Sequence, residues 1–139
     1  MIARYAKKED FQKFEDIKNE FLNDYGIKPQ SSEFISKEFN KFLKKCIILL
    51  EDNNIIIGYM FGSIEQDDYE TYGYVWEIFV SRKHRGKGYS TIIKDKFLEF
   101  LKEHNITMCR LDVSPKKEAI TVYEKWGFKV DKYRMTLKL

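Results

Sequence analysis

Residues 75–100 read VWEIFVSRKHRGKGYSTIIKDKFLEF, and three patterns follow one another in them. The first, extended back to YVWEIFV at 74–80, is aromatic and β-branched, which fits a strand. The second, RKHRGKGYS at 82–90, is basic and carries two glycines. The third has Ile92, Ile93, Phe97, Leu98 and Leu101 at helical spacing, so a helix runs to about His104. Strand, glycine loop, helix is a context in which free N–H groups and a partial positive charge collect at the helix start. Gly86 and Gly88 allow a tight turn there. Such a loop is either a phosphate cradle or a solvated connection. It is not a P-loop, because G-x-x-x-x-G-K-[ST] is missing, and Thr91 breaks the dinucleotide pattern G-x-G-x-x-G.

Outward from this stretch the chain alternates cleanly. Residues 2–5 form a short strand. Phe11, Phe14, Ile17 and Phe21 mark a helix over 8–21, stopped by Gly26 and Pro29. Ser32 is placed to cap a second helix bearing Phe34, Ile35, Phe39, Phe42 and Leu43. Residues 46–50 and 55–64 flank the turn-like Asp52-Asn53-Asn54 and read as a hairpin. The acidic run Glu65, Asp67, Asp68, Glu70 links it to a strand over 72–80. A further strand spans 107–113. Ser114 and Pro115 would open a short helix over 118–126, closed by Gly127. Strands at 128–130 and 134–139 complete the chain. The expected fold is α/β (α+β): one domain, residues 1–139, with a mixed, mostly antiparallel central sheet and helices on both faces.

Composition narrows the function. Net charge is only +3, from 25 basic and 22 acidic residues, which disfavours a nucleic-acid binder built on the basic loop. No apolar run approaches the roughly 20 residues that cross a bilayer. No membrane association and a cytoplasmic location follow as expectations. Cys46 and Cys109 form no CxxC pair, and His84 and His104 complete no metal spacing, so buried thiols and no metal are expected. His84 itself reads as a solvated loop residue.

Two segments together resemble the GNAT N-acetyltransferase superfamily. Its acetyl-CoA motif, [QR]-x-x-G-x-[GA] after a strand, is matched by Arg85, Gly86, Lys87, Gly88, Tyr89 and Ser90, with Ser90 departing from the usual Gly or Ala. AITVYEKWGF at 119–128 is similar to the family's A-x-x-x-Y-[EK]-x-x-G-F segment. The resemblance covers nearly the whole chain. It implies a splayed sheet with acetyl-CoA entering between the strand ending at Val80 and that ending near Val113. The pantetheine would pair with the backbone of Ile78, Phe79 and Val80, and the diphosphate would rest on N–H groups of residues 85–90. Lys116 stands where the family often has asparagine, so that contact is not carried over.

Acetyl transfer to an amine needs a base for the amine, a stabilised carbonyl oxygen and an acid for the thiolate. Tyr123 stands where the family often has a tyrosine near the coenzyme A sulfur. Ile120 and Val122 beside it leave a core tyrosine as the other reading. Glu77, alone in an apolar strand, is the base candidate, directly or through water. Strict alternation would put it on one face with Val75 and Phe79, in a cleft or toward solvent. The acceptor is a small-molecule or peptide amine, expected between the two N-terminal helices and the acidic run. That run either attracts the amine or is simply solvated. The protein is expected to be a monomer or homodimer, and a non-catalytic acyl-CoA sensor of the same fold is the alternative function.

Overall fold

In the computed structural model, which describes residues 1–115 and 118–139, strand β1 (Ile2–Tyr5) leads through a short 3-10 turn to helices α1 (Phe11–Asp24) and α2 (Ser32–Leu43). Strands β2 (Cys46–Asp52), β3 (Ile55–Gln66) and β4 (Thr71–Val80) follow, then helix α3 (Tyr89–Glu103), strand β5 (Cys109–Leu111) and helix α4 (Ala119–Lys125). The strands lie in sequence order in one sheet. β1 to β4 pair antiparallel, and β4 and β5 pair parallel across the α3 crossover. This is the expected α+β architecture.

The sheet is buried on both faces. Phe14, Ile17, Ile35 and Phe39 of α1 and α2 cover Ile47, Leu49, Tyr59, Phe61 and Phe79. On the opposite face, Ile93, Phe97 and Leu101 of α3 cover Ile48, Leu50, Met60 and Val80. α3 sits close because the sheet presents glycine beneath it. A Cβ at Gly62 would lie 2.4 Å from the Phe97 ring, and one at Gly73 would lie 2.4 Å from Leu101. Double coverage explains why 46–50 reads as a continuous apolar run rather than an alternating one.

The helix ends follow local chemistry. α2 is capped by Ser31, whose Oγ accepts from Phe34 N–H at 3.1 Å, so Ser31 and not the expected Ser32 holds that position. α4 starts at Ala119 without a side-chain cap, leaving Ser114 and Pro115 outside it. It ends in a Schellman arrangement: Phe128 N–H reaches the Tyr123 carbonyl and Gly127 N–H the Glu124 carbonyl, each at 3.0 Å.

Two expected strands do not form. Residues 128–130 and 134–139 carry no regular structure, and Tyr133, Met135 and Leu137 are more than four-fifths exposed. Their alternation specifies a face but not a partner. β5 has three residues and spends its pairing on β4; Arg134 meets Asp112 at 3.6 Å without a ladder.

Candidate active site

Along β4 the pairing with β3 is interrupted. Glu77 lies opposite Phe61 and Val75 opposite Gly62, so Trp76 is an extra residue, a β-bulge. The bulge changes which residues share a face. Val75, Ile78 and Val80 pack on the α3 side, whereas Phe79 joins the α1/α2 core. Glu77 points to that second side too, since it meets Lys18 and Tyr59. Strict alternation had grouped Val75 with Glu77, and the bulge corrects this.

The same region is where β4 and β5 part. Their parallel pairing covers only Gly73 to Val75 against Cys109 to Leu111. β4 continues for five more residues to Val80, so among the described residues no strand pairs with Ile78, Phe79 and Val80 on the β5 side. The strand then turns into the loop. Gly86 and Gly88 have φ of +76° and +78°, and a Cβ at either would meet nothing within 4 Å. Left-handed backbone is costly for other residues, so glycine is required by conformation rather than by crowding. Tyr89 and Ser90 open α3, and their N–H groups belong to the turn that has no intrahelical acceptor. Lys87 is exposed on the loop.

The loop's arginines do a different job from the one their charge implies. Arg85 Nε donates to the Val80 carbonyl at 3.0 Å and Nη2 to Asp24 Oδ2 at 2.7 Å, with its guanidinium 5.1 Å above the Phe79 ring. Arg82 donates to the other Asp24 oxygen at 2.5 Å. Arg85 first, and Arg82 after it, hold the Asp24 carboxyl below the usual carboxylate range. The side chains thus tie the loop to the end of α1, and the glycine backbone is left facing outward. His84 is half-buried beside Tyr89.

Glu77 stands in a polar cluster within an apolar layer. Its Oε2 accepts from Lys18 Nζ at 2.8 Å and from Tyr59 Oη at 2.5 Å. Lys18 Nζ also lies 2.9 Å from Glu38 Oε1, a charge contact without hydrogen-bond alignment. Burial raises the Glu77 carboxyl above its ordinary range; the Lys18 charge and the two hydrogen bonds pull the other way and do not cancel it. Burial, then the Glu77 charge, drives the Tyr59 phenol well above its ordinary value.

Tyr123 is half-buried on α4 between Trp126 and Phe128, with ring centroids 5.6 and 6.2 Å away. Burial, with the Tyr25 phenol adding to it, raises its pKa, so it stays protonated at neutral pH. Tyr25 ends α1, with its ring 6.5 Å from Phe79.

The acidic run is largely neutralised. Arg110 of β5 pairs with Asp67 and Glu70, and Lys45 lies 3.6 Å from Glu65. Asp67 also folds its own loop by accepting from the N–H groups of Tyr69 and Glu70 at 2.8 and 2.7 Å. The negative charge nearest the β4 bulge is therefore Glu77 with Glu38, not the run. Lys18, Tyr59, Glu38 and Asp24 escaped the sequence reading. For Lys18 a signal exists: it stands four residues after Phe14 and three before Phe21, inside the apolar stripe. Burial pushes Cys46 up to about 12 and Cys109 up to about 11, so both thiols stay protonated at neutral pH. Among the described residues, no group of three or more His, Cys, Asp or Glu is arranged to hold a metal, and no helix is long and apolar enough to cross a membrane. Lys116 lies outside the described residues.

Comparison with known proteins agrees with this geometry. The model of the acetyltransferase (GNAT) family matches residues 11–128. No curated protein matches the sequence. Among solved structures, the chain is similar to a predicted acetyltransferase with acetyl-CoA from Clostridium acetobutylicum: 24% identity, TM-score 0.80, covering 99% of this chain and 95% of that one. It is also similar to an aminoglycoside antibiotic 6'-N-acetyltransferase from Acinetobacter haemolyticus, at 16% identity and TM-score 0.79, covering 100% and 98%. A possible acetyltransferase from Clostridium difficile gives 14% identity and TM-score 0.81, covering 99% and 96%. At these identities the likeness shows the fold.

Proposed function

Because this chain belongs to the GNAT acetyltransferase family, we propose that it is an acetyl-CoA-dependent N-acetyltransferase, passing the acetyl group directly to a primary amine in a ternary complex. The observation that carries this reading is the parting of β4 from β5 beyond Val75, above a glycine loop that opens onto the start of α3. An extended pantetheine can pair with the groups that β4 turns away from β3 between Ile78 and Val80, as a short strand would; the Val80 carbonyl among them already accepts from Arg85 Nε. The diphosphate suits the N–H groups of residues 85–90, where Gly86 and Gly88 leave space. Arg85 serves this site by fixing the loop to Val80 and Asp24.

Acetyl-CoA supplies an activated thioester; the chain supplies proton handling and alignment. In this reading the acceptor reacts as the neutral amine: its nitrogen attacks the carbonyl carbon, and the Glu77 carboxylate takes the proton that nitrogen then sheds, which returns through solvent to the Tyr123 phenolate after transfer. The raised pKa of Glu77 suits a base working near neutral pH. The C–N bond forms, the C–S bond breaks, and the Tyr123 hydroxyl gives its proton to the departing sulfur. Partial burial raises the pKa of that phenol above 10, so it carries its proton at neutral pH. The net negative charge of Glu77, Glu38 and Lys18 taken together favours a cationic acceptor, a polyamine, amino sugar or lysine-like amine. The test is thiol release from acetyl-CoA over a panel of such amines, with mass analysis of the products. Acetylated product from any member supports the reading. Binding of acetyl-CoA with no transfer to any amine would identify a non-catalytic sensor instead.

A further inference from the structure

A lysine buried in the layer between α1 and the sheet calls for an explanation. Lys18 is 2% exposed. Removing an ammonium from water is opposed by several kcal/mol, and a leucine or methionine would pack there without that penalty. Lys18 instead sits with Nζ 4.7 Å from the Phe21 centroid and 5.5 Å from that of Phe61. Its two charge partners are Glu77 on β4 and Glu38 on α2.

Three elements beside Glu77 each bring a titratable group to it or to Lys18: Lys18 from α1, Glu38 from α2 and Tyr59 from β3. Glu38 opposes charge on Glu77, and Tyr59 donates to it. Lys18 places its ammonium 2.8 Å from one Glu77 oxygen and 2.9 Å from one Glu38 oxygen, between the two carboxylates. Both hydrogen bonds on Glu77 fall on Oε2.

We propose that Lys18 is a positioning residue for acetyl transfer: it keeps Glu77 in the carboxylate form and, with Tyr59, anchors Oε2 so that Oε1 receives the acceptor's proton. This rests on the reading of Glu77 as the base. Without Lys18, only the Tyr59 hydrogen bond still opposes burial and the neighbouring Glu38, and Glu77 holds its proton to higher pH.

The experiment follows Glu77 directly and needs no acceptor. The full chain is labelled with carbon-13 at glutamate side-chain carboxyls, and Glu77 is assigned by its loss in Glu77→Gln. Its titration is then compared in wild type, Lys18→Met and Lys18→Arg. Lys18→Met should raise the midpoint by about one pH unit or more, a tenfold gain in proton affinity. Lys18→Arg, which keeps the charge, should stay near wild type. A midpoint that is unchanged or lower in Lys18→Met overturns the proposal, as does an equal shift in both variants. Lys18→Gln gives the same reading if Lys18→Met does not fold. Thiol release separates this from the base reading: if Glu77→Gln transfers at the wild-type rate, Glu77 is not the base, whatever its titration shows.

Discussion

Two regions meet on β4, and they are made of different parts. Beyond the bulge, toward the loop, what faces the opening is backbone: the edge of β4 from Ile78 to Val80 that β5 does not reach, the glycines at φ +76° and +78°, and the first turn of α3. At the bulge itself, what faces the α1/α2 layer is side chains: Glu77, Lys18, Glu38 and Tyr59, brought from four elements. In the proposed reading, the first region would recognise a ligand by shape and N–H direction and tolerate varied side chains, while the second would set a protonation state and depend on each group in it. Basic residues in the loop blur this contrast only until their partners are known. Arg82 and Arg85 both pair with Asp24 at the end of α1.

Substitutions should therefore separate the regions. The largest effect is expected from Glu77→Gln, about 10³-fold in kcat with little change in acetyl-CoA affinity. In wild type, kcat/KM should rise with pH through a limb above the ordinary glutamate value of 4.5, because burial raises the Glu77 carboxyl and the base acts only when deprotonated. Stopped or steady-state thiol assays over pH 5–9 measure both. Tyr123→Phe comes next, with kcat lower by about 10²-fold and cofactor affinity kept. An unchanged kcat removes Tyr123 from the acid role. The smallest functional effect belongs to a site outside both regions. Asp10 accepts two bonds from Arg4 at 2.8 Å and one from Lys7 N–H at 2.7 Å. Asp10→Asn should lower stability by about 1–2 kcal/mol in thermal or urea melts while leaving turnover of the folded protein intact. Arg4 chiefly depresses the Asp10 pKa below 3.8. The sign follows: this stabilisation is complete above pH 3.8 and fades as pH falls through the depressed value.

The contrast also explains what could be read from the chain. The backbone region was legible because it is contiguous. Strand, RKHRGKGYS and helix occur in one stretch, and glycine at 86 and 88 states its conformational need directly. The mixed, mostly antiparallel sheet and the helices on both its faces were legible because double burial writes long apolar runs and 3.6-residue stripes. The side-chain region was half legible. Glu77 stood out as a charge in an apolar strand, but Lys18, Glu38 and Tyr59 lie up to 59 residues away from it in sequence. The Trp76 bulge leaves no local mark, so the faces of Val75 and Glu77 could not be sorted by alternation. Lys18 hid because a charge in an apolar stripe reads as the stripe's edge. Residues 134–139 alternate as a strand does, yet pairing needs a partner edge that the pattern cannot supply.

The central claim, that the backbone between Ile78 and Ser90 forms the acetyl-CoA site, is tested most directly by calorimetric titration of the wild-type protein and Gly88→Val with acetyl-CoA. Valine at φ +78° forces the loop out of shape while leaving Glu77, Lys18 and Tyr123 in place. The account predicts saturable one-site binding to wild type and an affinity weaker by about tenfold or more in the variant, about 1.4 kcal/mol. No binding by wild type at millimolar acetyl-CoA, or equal affinity in the two proteins, would contradict it.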